Sequence, residues 1–232
     1  MNIPARLLLV GAFAFAPAVL AADPPAAPPA EKAELKPGEL EIKVDTTDAP
    51  ELAEYGEKIQ KLAIEWYPKL EKMLPSEGYT APQRIVIIFK KGIGPPAMAA
   101  GNRVTCKVEW FTQHPEDVGA VIHELTHVIQ HYTRGKRPGW LVEGIADYIR
   151  WYKYEPGKDR SRKDPAKAKY TDSYRVTAHF LNWAVETYDK DLVVKLNKAC
   201  REAKYTEDLW QEYTGKTAEQ LGEEWKATLG KK

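Results

Sequence analysis

This sequence has few cysteines, little net charge and no long apolar run outside its first twenty residues. Its two cysteines have no paired C-x-x-C spacing, which argues against a cysteine-ligated metal site. The formal net charge of +1 gives no electrostatic reason to expect nucleic acid or an anionic membrane as a partner. No later stretch is long and apolar enough to cross a bilayer, and no internal repeat or second domain is evident.

The N-terminal segment differs in composition from the rest of the chain. Arg6 precedes a mostly apolar stretch from Leu7 to Leu20, which predicts a secretory signal peptide over residues 1–21. An uncleaved N-terminal anchor is the alternative. Residues 22–38 are rich in Pro, Ala, Glu and Lys, which predicts a flexible linker. We therefore expect a secreted or periplasmic protein with one folded domain over residues 39–232 and no membrane contact after signal cleavage.

The most informative stretch is Val121–Gln130, which contains H-E-x-x-H among apolar residues at helical spacing. His123 and His127 are four residues apart, so on a helix both imidazoles face one side and can bind the same metal ion. Glu124 lies beside that face, where it can reach a metal-bound water rather than the metal. Two histidines and a general base on one helix are the arrangement of a zincin.

A second pair of residues at helical spacing follows the motif. Glu143 lies sixteen residues after His127, and Asp147 lies four residues further on. Because a catalytic zinc site uses three protein ligands, we predict Glu143 as the third. Asp147 can then accept the outer ring N–H of a ligand histidine. His131 is a poor ligand candidate, because on a straight helix it lies about 12 Å from His123 along the axis.

These segments resemble the plant basic secretory protein family, which has bacterial members. The similar runs are Gly119–Gln130, Gly139–Tyr148, Tyr174–Leu181 and Leu192–Lys198, and the similarity extends from about Leu40 to the C-terminus. The resemblance implies a secreted, gluzincin-like zinc metallopeptidase. The chain departs from the family name in one respect, because it is not markedly basic.

The resemblance also implies roles for residues outside the metal motif. Residues 103–110 alternate apolar and polar, as an edge strand does, and the family fold implies that this strand binds a peptide or protein substrate in the cleft. An ordinary strand covered by a loop is the alternative. Tyr174 is the candidate for stabilising the oxyanion, and His179 is the second choice. Both could instead be core residues or support other site residues.

Periodicity along the chain, together with this resemblance, predicts a zincin-like α+β fold. We expect a small mixed sheet with an edge strand over the HExxH helix, followed by a mainly helical C-terminal half. The predicted strands are 40–44, 84–89 and 103–110, and the predicted helices are 49–74, 115–133, one from 138, 173–187, 190–203, 206–213 and 218–229. Residues 92–101 are predicted as a loop and 151–170 as a polar, solvated segment. In an exported chain Cys106 and Cys200 could form a disulfide, and two buried free thiols are the alternative.

These residues together predict a zinc-dependent peptidase. Zn²⁺ held by His123, His127 and Glu143 would lower the pKa of a bound water. Glu124 would take its proton as the water attacks a carbonyl carbon, and would pass it to the leaving amine. Two alternatives are a catalytically silent, zinc-containing secreted binding module and a zinc hydrolase of a non-peptide amide or ester. The presence of Glu124 argues against the first, because a structural zinc site needs no base.

Overall fold

The computed structural model describes residues 39–132, 135, 137–158, 164 and 167–229. The predicted signal peptide over residues 1–21 and the predicted linker over 22–38 lie outside the described residues. Within those ranges, no helix combines the length and the apolar character needed to cross a membrane.

The N-terminal part of the described chain forms a four-stranded mixed sheet. Its strands are β1 (Glu41–Asp45), β2 (Arg84–Lys90), β3 (Ala97–Ala100) and β4 (Arg103–Lys107), arranged in the order β1-β2-β4-β3. Strands β1, β2 and β4 are parallel to one another, and β3 is antiparallel to β4. The strand predicted over residues 84–89 is confirmed as β2, and it lies in the interior of the sheet between β1 and β4. Its side chains Ile85, Ile87 and Phe89 are almost fully buried, as expected for a strand covered by helices.

The edge strands of the sheet are β1 and β3, and the prediction of an edge strand over residues 103–110 is wrong. Strand β4 pairs with β2 on one side and with β3 on the other, so both of its edges are used. The segment 92–101, predicted as a loop from its glycines and prolines, contains β3 and thereby completes the sheet. Strand β4 also ends at Lys107, because Val108 begins a short helix in which Val108 and Phe111 are buried.

The described residues contain eight α-helices. They are α1 (Ala53–Met73), α2 (Val108–Gln113), α3 (Gly119–Gln130), α4 (Gly139–Tyr148), α5 (Tyr174–Thr187), α6 (Leu192–Arg201), α7 (Asp208–Thr214) and α8 (Ala218–Thr228). The long N-terminal helix and the four C-terminal helices are confirmed, with shifts of at most four residues at their ends. A π-helical turn over Ile149–Tyr154 extends α4, so the start of the predicted solvated segment is helical, and Trp151 within it is buried.

The HExxH helix, α3, is shorter than predicted at both ends. It ends at Gln130 because the next residue, His131, adopts a left-handed conformation with φ of 43°. Arg201 of α6 satisfies two carbonyl groups of its last turn, donating to Ile129 at 2.9 Å and to Gln130 at 3.2 Å. The C-terminal helices thereby fix the end of α3.

Helix α4, which carries Glu143 and Asp147, packs closely against α5. A Cβ atom on Gly144 would lie 2.1 Å from the Cγ2 atom of Thr177, so only glycine fits this contact. Thr177 has little room to move, because it is fully buried and its hydroxyl donates to the carbonyl of Tyr170 at 2.6 Å. This close approach is part of what positions Glu143 beside α3.

The two cysteines are free thiols in this structure, and both are buried. The alternative of two buried thiols therefore describes the molecule, and the disulfide is absent from the described residues. Burial raises the pKa of both thiols, to about 12 for Cys200. We expect both to react slowly, because the thiolate is the reactive form.

Candidate metal centre

Helices α3 and α4 bring the three predicted ligands together. The Nε2 atoms of His123 and His127 lie 3.0 Å apart. The Oε2 atom of Glu143 lies 3.2 Å from the first of these nitrogens and 3.3 Å from the second. The three side chains form a group that could hold a metal ion.

The separations of these three donor atoms fit a tetrahedral ion. Zinc bonds of ~2.0–2.1 Å place neighbouring ligand atoms of a tetrahedron about 3.3 Å apart. The observed separations of 3.0–3.3 Å are close to that value. Two imidazole nitrogens and a carboxylate oxygen are also ligands that suit zinc. The residues present therefore fit the expected ion.

Each of the two histidines has a hydrogen-bond partner on its other ring nitrogen. The Nδ1 atom of His123 lies 2.7 Å from Asp147 Oδ1, and that of His127 lies 2.7 Å from Gln130 Oε1. Because both partners accept, each Nδ1 carries the hydrogen and each Nε2 faces the cluster. The amide nitrogen of Gln130 donates to the carbonyl of Val142 at 3.0 Å, which fixes which end of the amide faces His127.

Gln130 is the site residue that the sequence did not reveal. In the sequence it attracts notice only because it stands where the longer H-E-x-x-H-x-x-G-x-x-H pattern has glycine. The signal that identifies it is its spacing of three residues from His127, which places the two side chains on one helix face. Asp147, in contrast, occupies the place predicted for it, with His123 as its partner.

The remaining histidines near this region lie outside the cluster. His114 ends α2, and its ring lies 4.3 Å from that of Trp110. His131 is exposed beyond the end of α3, with its ring 6.5 Å from that of Tyr79. Neither contributes an atom to the group of three ligands.

Burial and hydrogen bonding determine the charges of the ligands. Burial by itself would lower the pKa of His123, but hydrogen bonds to Asp147 and Glu143 outweigh it and raise the pKa to about 9. Burial by itself would raise the pKa of Glu143, but hydrogen bonds from His123 and His127 lower it to about 2. At neutral pH a metal ion must therefore displace a proton from His123.

Glu124 lines the same cleft but is not one of the three ligands. Burial is the main cause that raises the pKa of its carboxyl group, and the negative charge of Glu143 adds to it. The two histidines and the backbone N–H of Ala99 act in the opposite direction. The net upward shift makes Glu124 a better proton acceptor than an exposed glutamate, which is what a general base requires.

The cluster lies in a cleft with a volume of about 1060 Å³. The cleft is lined by Pro95–Ala99, which includes most of β3, and by residues 172–176 at the start of α5. Of the strand predicted to hold substrate over residues 103–110, only Trp110 is among the described lining residues. That residue lies in α2, so the strand that borders the cleft is β3.

Tyr174 lines the cleft, whereas His179 is not among the described residues that do. Tyr174 is 55% exposed, and the centroid of its ring lies 6.1 Å from that of His123. The negative charge of Glu143 is the main cause that raises the pKa of Tyr174, so the phenol keeps its proton and can donate a hydrogen bond. His179 instead accepts a hydrogen bond from the Trp225 indole at 2.8 Å. The geometry therefore favours Tyr174 over His179.

The fold and the site define a mixed α+β protein whose cleft contains a His–His–Glu group able to hold a metal ion. The chain belongs to the family described as "Peptidase of plants and bacteria" (BSP), whose model matches residues 104–225, more than half of the chain. This match confirms the resemblance to the basic secretory protein family. It covers all three ligands, while β1 to β3 precede it. No curated protein and no solved structure matches the chain.

The hydrogen bond between Asp147 and His123 leads to a prediction. We expect Asp147→Asn to lower metal affinity by about 10–100-fold, because the amide keeps the shape but loses the charge that orients the imidazole. Competition with a chelator measures this affinity. Glu116→Gln is the matched control, because it removes an exposed carboxylate from the same cleft without touching the cluster. An affinity unchanged in Asp147→Asn would mean that Asp147 has only a structural role.

Proposed function

We propose that this chain is an exported, zinc-dependent peptidase. The observation that supports it most directly is the group of three donor atoms, 3.0–3.3 Å apart, beside Glu124 in an open cleft. Membership of a family described as peptidases agrees with this reading. Export rests on the signal peptide predicted over residues 1–21.

Zinc is the ion that the ligand set favours, with His123, His127 and Glu143 as the residues that would hold it. Bound there, it would supply a Lewis acid that lowers the pKa of water and polarises a carbonyl group. Asp147 and Gln130 would hold the two imidazoles with Nε2 facing the cluster. The HExxH helix beside an antiparallel edge strand is what a zincin-like fold would require, and we propose that classification.

Side chains of the cleft would carry out the proton transfers and stabilise the developing negative charge. Glu124 would remove a proton from the attacking water and deliver it to the nitrogen of the leaving amine, which its raised pKa favours. The exposed phenol of Tyr174 would donate a hydrogen bond to the oxygen of the scissile carbonyl as negative charge develops there. The phenol of Tyr174 carries its proton at neutral pH, because its pKa is raised above its ordinary value.

An extended peptide would bind along β3 rather than along the 103–110 strand. Among the described residues β3 pairs with β4 alone, so one of its edges is open to an added strand. Pro95–Ala99 line the cleft, and the backbone of Ala99 interacts with Glu124. A peptide at this edge would therefore pass close to the proposed base.

The direct test is metal analysis combined with cleavage of an unbiased peptide library by the wild-type protein and by Glu124→Gln. One zinc ion per chain in both proteins, with cleavage by the wild type alone, would support the proposal. One zinc ion in both and cleavage by neither would favour a binding module or a hydrolase of non-peptide amides or esters. Absence of zinc from the wild type would contradict the proposal.

Metal affinity should depend on pH. The pKa of His123 in the metal-free protein is raised to about 9, so below that pH a proton competes with the metal for Nε2. We expect affinity to rise about tenfold per pH unit between pH 6 and 8 for each proton displaced, and to level off above pH 9. Calorimetric titration with zinc in buffers of different ionisation enthalpy counts the protons released. Release of less than one proton at pH 7 would contradict this account.

A further inference from the structure

Among the described residues, the cleft is lined by three positively charged side chains other than histidine, and these three differ in their carboxylate partners. Arg150 is 13% exposed, pairs with Asp117, and lies 3.6 Å from Glu155. Lys158 lies 2.9 Å from the same buried Glu155. Arg175 is exposed and has no carboxylate partner among the described residues. Of these three cations, Arg175 is therefore the one whose charge is available to a ligand.

The guanidinium group of Arg175 is also held in place. Its central carbon lies 4.0 Å from the ring centroid of Trp151, which is only 6% exposed. Stacking uses the flat face of a guanidinium group, while its N–H donors point outwards in the plane. A stacked arginine can therefore still bind both oxygens of a carboxylate, and it loses less conformational freedom when it does so.

The position of Arg175 places this charge near the proposed reaction. It follows Tyr174, whose ring lies 6.1 Å from that of His123. Trp151 lies four residues after Asp147, on the π-helical continuation of α4. A substrate spanning the metal cluster would therefore pass Arg175.

We propose that Arg175 is a specificity-determining residue that binds a carboxylate group of the peptide substrate. This inference rests on the proposed peptidase function. The carboxylate could belong to an acidic side chain or to the free C-terminus of the peptide, and both would make the same paired hydrogen bonds with the guanidinium group.

The test uses the zinc-loaded protein and matched alanine-based peptides. One series, blocked at both ends, carries a single glutamate or glutamine at each position in turn. A second pair differs only in ending with a free carboxylate or an amide. Values of kcat/KM are measured for the wild type, Arg175→Gln and Lys158→Gln. The last is the charge-matched control, because Lys158 lines the same cleft but pairs with Glu155.

We expect the wild type to prefer the carboxylate-bearing peptide of one pair by about tenfold, as a partly exposed charge-assisted contact provides. Arg175→Gln should lose this preference while cleaving the neutral peptide as before, and Lys158→Gln should keep it. A preference confined to the second pair would identify the C-terminus as the ligand. Absence of any preference in the wild type, or its survival in Arg175→Gln, would overturn the proposal.

A binding measurement separates this proposal from the peptidase proposal. The same peptides are titrated calorimetrically into Glu124→Gln and into the Glu124→Gln, Arg175→Gln double variant. If the wild type cleaves nothing, the peptidase proposal fails, yet tighter carboxylate binding that disappears in the double variant would still support the role of Arg175. Equal binding of both members of each pair, or no binding of either, would overturn it.

Discussion

Glu124→Gln is expected to abolish peptide cleavage while leaving zinc content unchanged. The amide has nearly the same shape as the carboxylate but cannot accept a proton from water. General-base catalysis contributes about 10²–10⁴-fold, so we expect kcat to fall by at least that factor. Burial raises the pKa of Glu124, so the carboxylate takes up a proton more readily than an exposed glutamate does. Cleavage rates and metal content measured on the same preparation test the prediction.

Glu124→Asp is the informative companion variant. It keeps the carboxylate but withdraws it by one methylene group, so we expect an activity between those of the wild type and Glu124→Gln. Neither change should alter zinc content, because Glu124 is not among the three ligands. Full activity of Glu124→Gln would contradict the assignment of this residue as the base.

Glu143→Ala is expected to weaken zinc binding by more than about 100-fold. The change leaves two protein ligands, whereas a catalytic zinc site uses three, and changes to residues that only orient the ligands already cost about 10–100-fold. Glu143 Oε2 lies 3.2 and 3.3 Å from the two histidine Nε2 atoms, which is the reason for assigning it as the third ligand. Chelator competition measures the loss.

The ranking of zinc affinity among the variants tests the assignment as well as the size of each loss does. Glu143→Gln keeps an oxygen donor without its charge, so its affinity should lie between those of the wild type and Glu143→Ala. Asp147→Asn should have a smaller effect than Glu143→Ala, because Asp147 acts through His123. Wild-type affinity in Glu143→Ala would show that another residue supplies the third ligand.

Much of the candidate centre could be predicted because its spacing is local. His123 and His127, and then Glu143 and Asp147, are pairs four residues apart, and a helix brings such residues to one face whatever surrounds it. The same local periodicity predicted the long N-terminal helix, the interior strand β2 and the four C-terminal helices. The ligands were therefore accessible from the sequence, and the structure adds their separations of 3.0–3.3 Å.

Other features depended on contacts between residues far apart in the chain. The short segment Ala97–Ala100 has no pattern that marks a strand, and it becomes an edge of the sheet only because β4 offers it a partner. The choice between Tyr174 and His179, both on α5, follows from which residue lines the cleft and which packs on Trp225.

The sequence by itself predicted the candidate ligands, the proposed base and most of the helices, because helical spacing is visible within each of the two segments that become α3 and α4. Only the tertiary structure decided which strand borders the cleft, that Cys106 and Cys200 are separate buried thiols, and that Arg175 stacks on Trp151. Those outcomes depend on how segments far apart in the chain pair and pack. The local pattern of residues does not show which distant segment each one will contact.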